Sequence, residues 1–224
     1  MLKTTAVVAS AILLLSLQAL AVPFTILIGD NDGYSLGIAD NGSSGGSGFP
    51  GPSFDGRSVA EQAAVNGAQL TDVYSALFPG AGPHTTTIGT VTFALPGVMT
   101  SGTLTIDMGD FQASTFGQFS VSLNGVNKPN YFNFDDGFTN TAVHTFALSA
   151  TDITNANLAG ALTLTINRNG SNDYVAFDFF RLDGEATAAP VPDGGSTLAL
   201  LGLTLGGIVV LQRKLSNRAT PQSV

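Results

Sequence analysis

The sequence predicts an all-β domain, an antiparallel β-sandwich with a jelly roll as the expected topology, carried between two apolar terminal segments. Three observations predict it: short runs that alternate apolar and polar residues, Asn-Gly turn signals between them, and a composition rich in Gly, Thr, Ser and Asn but poor in Lys and Glu. Such residues suit pleated strands and turns better than helices, which favour Ala, Leu, Glu and Lys.

The strands follow in chain order. Phe24 to Ile28 and Thr90 to Leu95 are two short β-prone runs. Leu104, Ile106 and Met108 alternate with Thr103, Thr105 and Asp107, the period of a strand with one buried face. Phe119, Val121 and Leu123 alternate with Ser120 and Ser122 and run into Asn124-Gly125, a type I′ hairpin signal. His144, Phe146 and Leu148 form another apolar face. Leu162, Leu164 and Ile166 alternate with Thr163 and Thr165 before a second turn at Asn169-Gly170. Tyr174 to Leu182 is apolar on both faces and is expected to be a central strand. Val59 to Leu77 is the one helical candidate, and Asn66-Gly67 breaks it into a short helix or two at most. Residues 41–52 form a Gly- and Ser-rich surface loop.

The ends carry targeting information. Lys3 precedes an apolar run from Ala6 to Leu17, and Ala19 and Ala21 supply the small residues that signal peptidase requires. Residues 1–21 therefore read as a cleavable signal helix, with cleavage expected after Ala21; a retained anchor is the alternative, although the run is short for one. At the other end, Val191, Pro192, Asp193, Gly194 and Gly195 precede an uncharged apolar run from Ser196 to Leu211, then Arg213, Lys214 and Arg218. With its flanking glycines the run is about 18 residues, roughly 27 Å as a helix, enough to approach the width of a bilayer core. The basic cluster stays cytoplasmic and leaves residues 22–188 outside as the ectodomain.

Residues 191–218 resemble the C-terminal sorting signals of the PEP-CTERM kind, in the variant whose signature is Val-Pro-Asp, a small residue and glycine. The resemblance implies a transmembrane helix that is transient, processing by an exosortase-type transpeptidase, and residence in the envelope, surface or extracellular matrix of a Gram-negative bacterium. A simple membrane anchor is the alternative.

Charge and chemistry narrow the function. From Val22 to Pro190 there are four basic side chains (Arg57, Lys128, Arg168, Arg181) against fifteen acidic ones, a net charge of −11. A surface so acidic repels phosphate backbones, so nucleic-acid binding is disfavoured. The chain has no cysteine, which removes disulfides, thiolate metal sites and cysteine nucleophiles. Its two histidines, His84 and His144, have no metal-binding spacing and accompany no Gly-x-Ser-x-Gly elbow, so the chain is not expected to be an enzyme. A secreted glycan-active enzyme with paired carboxylates is the remaining catalytic alternative.

A second resemblance lies in Phe119 to Val126 (FSVSLNGV), Thr145 to Leu148 and Tyr174 to Leu182 (YVAFDFFRL), which look like the second half of galactose-binding-like jelly rolls, among them many carbohydrate-binding modules. It implies the sandwich fold and, in the variants that bind sugar, a glycan site.

Two candidate sites follow. In Gly29-Asp30-Asn31-Asp32-Gly33-Tyr34, three oxygen-bearing side chains stand between glycines, a pattern that suits structural Ca2+ with Asp30 and Asp32 as ligands. The galactose-binding-like resemblance implies a calcium joining the first strand to the last, with Asp178 or Asp183 completing the shell. A tight turn whose Asx side chains bond the backbone is the alternative. Asp178 sits amid Val175, Ala176, Phe177, Phe179 and Phe180, so its carboxylate needs an arginine, water or a cation. The second site is Tyr131 and Phe132 with Asp135 and Asp136, where rings could stack on a sugar and carboxylates fix its hydroxyls, or the rings could instead be core. The reading as a whole is a non-catalytic exported module for adhesion or exopolysaccharide association, with a carbohydrate-binding module as the alternative.

Overall fold

A computed structural model of the chain describes residues 20–45, 49–51, 54–80 and 82–187. The expected signal helix, residues 1–21, lies outside the described residues except for Leu20 and Ala21, and Ala21 is already the first residue of a strand; the expected C-terminal transmembrane helix falls on residues 188–224, outside the described residues. Among the described residues no helix is long and apolar enough to cross a membrane. The chain divides into Met1–Ala188 and Ala189–Val224, and all described residues belong to the first unit.

Eight strands make the body: β1 (Ala21–Gly29), β2 (Ile88–Ala94), β3 (Val98–Gly109), β4 (Ser120–Leu123), β5 (Val126–Asn127), β6 (Thr141–Ala147), β7 (Ala161–Asn167) and β8 (Ala176–Thr187). One sheet runs β1-β8-β3-β6 and the other β2-β7-β4-β5. Every ladder is antiparallel. The pairs β1 with β8, β2 with β7, β3 with β6 and β4 with β5 are nested like one long hairpin folded over itself, which is the jelly-roll order.

The alternation in the sequence is what fills the space between the sheets. Leu104, Ile106, Met108, Phe177, Phe180 and Leu182 from the first sheet meet Val91, Phe93, Val121, Leu123, Leu162, Leu164 and Ile166 from the second in one buried cluster. Each such side chain contributes about 1.5–3 kcal/mol by leaving water, which makes a register slip in any of these strands costly. Asn124 and Gly125 turn β4 into β5 with φ of 45° and 81°, the two left-handed residues a type I′ turn needs. Asn169 and Gly170 also form a turn, but it passes the chain from one sheet to the other instead of closing a hairpin.

Two departures from the sequence reading matter. The Val59–Leu77 segment holds, as expected, only the short helix Val59–Ala63 and a single turn at Ala68–Leu70, but the longest described helix is Ala150–Ala159, where no helix was expected. Its signals are a capping box, Ser149 with Asp152, and a left-handed Gly160 at its end. The second departure is that the outer face of the first sheet is covered. Residues 30–87, between β1 and β2, lay Tyr34, Phe49 and Tyr74 against Ala176 of β8 as a second apolar cluster. Phe49 meets Tyr34 edge-on at 5.1 Å and stacks on Tyr74 at 4.9 Å. Thr105 and Asp107, the polar face of β3 in the sequence, are consequently buried.

Candidate metal centre

The site begins with an irregularity in β8. Phe177 pairs with Met108 and Phe180 with Ile106, so Asp178 and Phe179 together oppose Asp107. Such a bulge re-aims side chains. Here the Asp178 carboxylate accepts the backbone N–H groups of Gly33 at 3.3 Å and Tyr34 at 2.8 Å.

Those donors converge because the chain after β1 coils left-handed, with φ of 74°, 62° and 56° at Gly33, Tyr34 and Ser35. Gly33 is required there, since a Cβ would stand 2.3 Å from the Ile38 carbonyl oxygen. Asp32 closes the turn by accepting from the Ser35 N–H at 2.6 Å and the Ser35 hydroxyl at 3.2 Å. The Asx-turn alternative is thus present in the geometry, and it leaves the cluster around it unexplained.

Asp72 is the member that sequence reasoning missed. Its backbone is left-handed, φ 55°, and is held by its N–H donating to the Phe177 carbonyl at 2.7 Å and its own carbonyl accepting from Gly56 N–H at 2.8 Å. The side chain is 0% exposed, and neither carboxylate oxygen has a hydrogen-bond partner. Asp30, Asp32, Asp72 and Asp178 each bring a carboxylate oxygen within 4.8 Å of the others.

Crowding like charges out of water shows in the proton affinities. Burial, then the fields of Glu61, Asp32, Asp178 and Asp30, push the Asp72 carboxyl up to about 9. Burial also lifts Asp178, to about 6, against the opposing pull of the Tyr34 and Gly33 N–H groups. Asp30 is raised by burial and by Glu61 and Asp32. The basic side chains among the described residues are committed elsewhere: Arg57 to Asp55 at 2.7 Å, Lys128 to Asp152, Arg181 to Asp183 at 2.7 Å, and Arg168 to the Ser75 and Asp173 carbonyls.

The donor set fits a hard divalent ion. Oxygens bound to one Ca2+ at about 2.4 Å lie at most about 4.8 Å apart, and calcium prefers carboxylates and carbonyls over nitrogen or sulfur. An ion there would give the two free Asp72 oxygens the partner that the protein does not supply. Left ionised and unpaired, a buried carboxylate costs several kcal/mol.

The other candidate residues are placed differently. Asp183 does not join the cluster: it lies five residues farther along β8, roughly 16 Å at strand rise, where it accepts from the Thr25 hydroxyl and from Arg181, both at 2.7 Å. Phe132 is 1% exposed and sits among Phe111, Phe119, Phe134 and Phe177, so its ring is core and not a stacking face. Tyr131 stacks on Phe146 at 4.2 Å. Asp135 accepts from the backbone N–H and hydroxyl of Ser114, and Asp136 meets His144 at 2.9 Å. Within this loop the exposed ring is Phe138. Sequence and structure thus bring Asp30, Asp32 and Asp178 together and divide the loop residues between core and local caps.

Comparison with known proteins bears on the tail. The VPDSG-CTERM motif matches residues 190–215, which include Val191, Pro192, Asp193, Gly194 and Gly195. This is a PEP-CTERM-like C-terminal sorting signal, and it marks the chain as an exported, envelope-associated protein handled by an exosortase-type enzyme. No curated protein matches the chain. Among solved structures, dimeric latent PorU from Porphyromonas gingivalis matches at 18% identity with a TM-score of 0.31, over 75% of this chain and 13% of that one. The chain therefore spans about an eighth of that protein, and a likeness so remote assigns neither fold nor function.

Proposed function

We propose that the chain is a non-catalytic surface module of a Gram-negative envelope, whose jelly roll is fastened by one calcium ion and which serves adhesion or exopolysaccharide association. The observation that carries the calcium is Asp72, wholly buried with both oxygens unpartnered among three further carboxylates. Asp30 at the end of β1, Asp72 in the connection and Asp178 in β8 would hold the ion with Asp32. It would supply positive charge where three separate chain segments converge and lock the connection onto the sheet.

The polysaccharide reading is supported by the openness of one side. Asp30 and Asp32 are exposed while Asp72 and Asp178 are buried, so an ion bound here keeps coordination positions toward solvent. Calcium fills six to eight positions, and hydroxyl or carboxylate oxygens of an extracellular polymer can take those that water would otherwise hold. Co-sedimentation of the processed chain with its native exopolysaccharide, in calcium and in chelator, tests this. Pelleting that requires calcium is expected; no pelleting, or equal pelleting in chelator, removes the polysaccharide role and leaves the structural ion to its own test.

A further inference from the structure

We propose a second divalent-cation site beside the first, held by Asp40, Asp107 and Asp178, with the Asp178 carboxylate shared between the two. The inference rests on the calcium reading of the first cluster and extends it from one ion to a pair.

Asp40, Asp107 and Asp178 each present a carboxylate oxygen within 4.8 Å of the other two. Asp107 supplies the independent observation. It is 1% exposed, it accepts the Tyr34 hydroxyl on Oδ1 at 3.0 Å, and its Oδ2 is buried without any partner. The Tyr34 hydroxyl has one proton to give, and it is spent on Oδ1. The charged groups around Asp107 are Asp178, Asp40 and Asp136, all acidic. His144, the nearby base, is paired with Asp136. Among the described residues the pocket therefore gathers Asp40, Asp107 and Asp178, with no lysine or arginine paired to any of them.

A single ion at the first cluster does not reach this need, because Asp40 and Asp107 belong to the second group alone. One Ca2+ carries two charges, and the two groups together contain six carboxylates. The second position takes a hard cation, Ca2+ or Mg2+, since its donors are all oxygen. Asp40 lies exposed at the rim and is tied to Asn31 at 3.3 Å, so water completes the shell from that side. Tyr34 becomes the link between sites: its N–H orders Asp178 and its hydroxyl orders Asp107.

Equilibrium dialysis of the full chain in detergent against radiolabelled calcium at saturation reads the stoichiometry. Two ions per chain are expected for the wild type and one for Asp107→Asn. Asp40→Asn, altered at an exposed position that the fold tolerates, is also expected to bind one. Asp72→Asn should retain one ion, at the second site. A wild-type stoichiometry of one overturns the second site and leaves the first standing, as does an undiminished two in both the Asp40 and Asp107 variants. Zero overturns both readings. Terbium adds a spectroscopic check, since emission sensitised by the Tyr34 ring should fall several-fold in Tyr34→Phe while two ions remain bound; emission unchanged in that variant places the metal elsewhere.

Discussion

Asp72 makes the ion-free protein sensitive to alkali in a calculable way. Its carboxyl rises from 3.8 to about 9 on folding, so the folded state holds this proton more tightly than the unfolded chain does. The associated stability is complete below about pH 4 and is lost as the pH climbs toward the folded value. Each unit in that window is worth about 1.4 kcal/mol, so between about pH 5 and about pH 8 the chelator-treated chain should lose on the order of 4 kcal/mol through this group alone. For a domain of this size, at roughly 2–4 °C per kcal/mol, that corresponds to a melting midpoint about 10 °C lower. Calcium replaces the proton, and at a hundredfold excess over its dissociation constant it returns about 2.7 kcal/mol. Melts followed by circular dichroism, with calcium and with chelator across that pH range, should therefore diverge as the pH rises. Asp72→Asn should flatten the chelator curve and shrink the calcium effect. A chelator-treated protein that melts at one temperature throughout, together with no calcium response at about pH 8, would refute the assignment of Asp72 to a cation.

Three further outcomes follow from the same geometry. Asp183→Asn should leave the calcium-dependent shift in melting unchanged, because that residue serves Arg181 and Thr25; a lost shift would return it to the cluster. Phe132→Ala should cost about 3–5 kcal/mol in denaturant melts, as expected of a buried ring, and an undiminished stability would show that the ring is not core. Gly33→Ala should destabilise by about 2 kcal/mol or more, from a left-handed φ and a Cβ against Ile38, and should weaken calcium binding measured by titration calorimetry; unaltered binding would separate the turn from the site.

What the sequence disclosed follows from the range of each signal. Alternation is local, so Leu162, Leu164 and Ile166 announced their buried face, and Asn124-Gly125 announced its hairpin. Asp30-Asn31-Asp32 was visible as a cluster because its members are neighbours in the chain. Asp72 was not, since Thr71-Asp72-Val73 has no pattern of its own and joins the cluster only through the tertiary fold. Asp107 was misleading for a related reason: its place in a regular alternation put it on the solvent face, and only the coverage by Tyr34 and Phe49 buries it. Along Tyr174 to Leu182 both faces are apolar, so no period could reveal the bulge that turns Asp178 toward the first loop and leaves Asp183 outside. The helix at Ala150–Ala159 carries its own local signals, the Ser149-Asp152 capping box and the left-handed Gly160, from which it could have been found.

Val22, the first residue after the expected cleavage, pairs with Ala186 and so sets the entry and exit of the jelly roll side by side. Wherever the mature chain is held by its C-terminal end, tension enters through β8, which lies between β1 and β3. Drawing that strand out lengthwise must slide it past both neighbours at once, so many ladder bonds resist together instead of yielding singly. A cation gripping Asp178 near the strand's inner end would act as a knot on the rope, on the far side of the sheet from the pull.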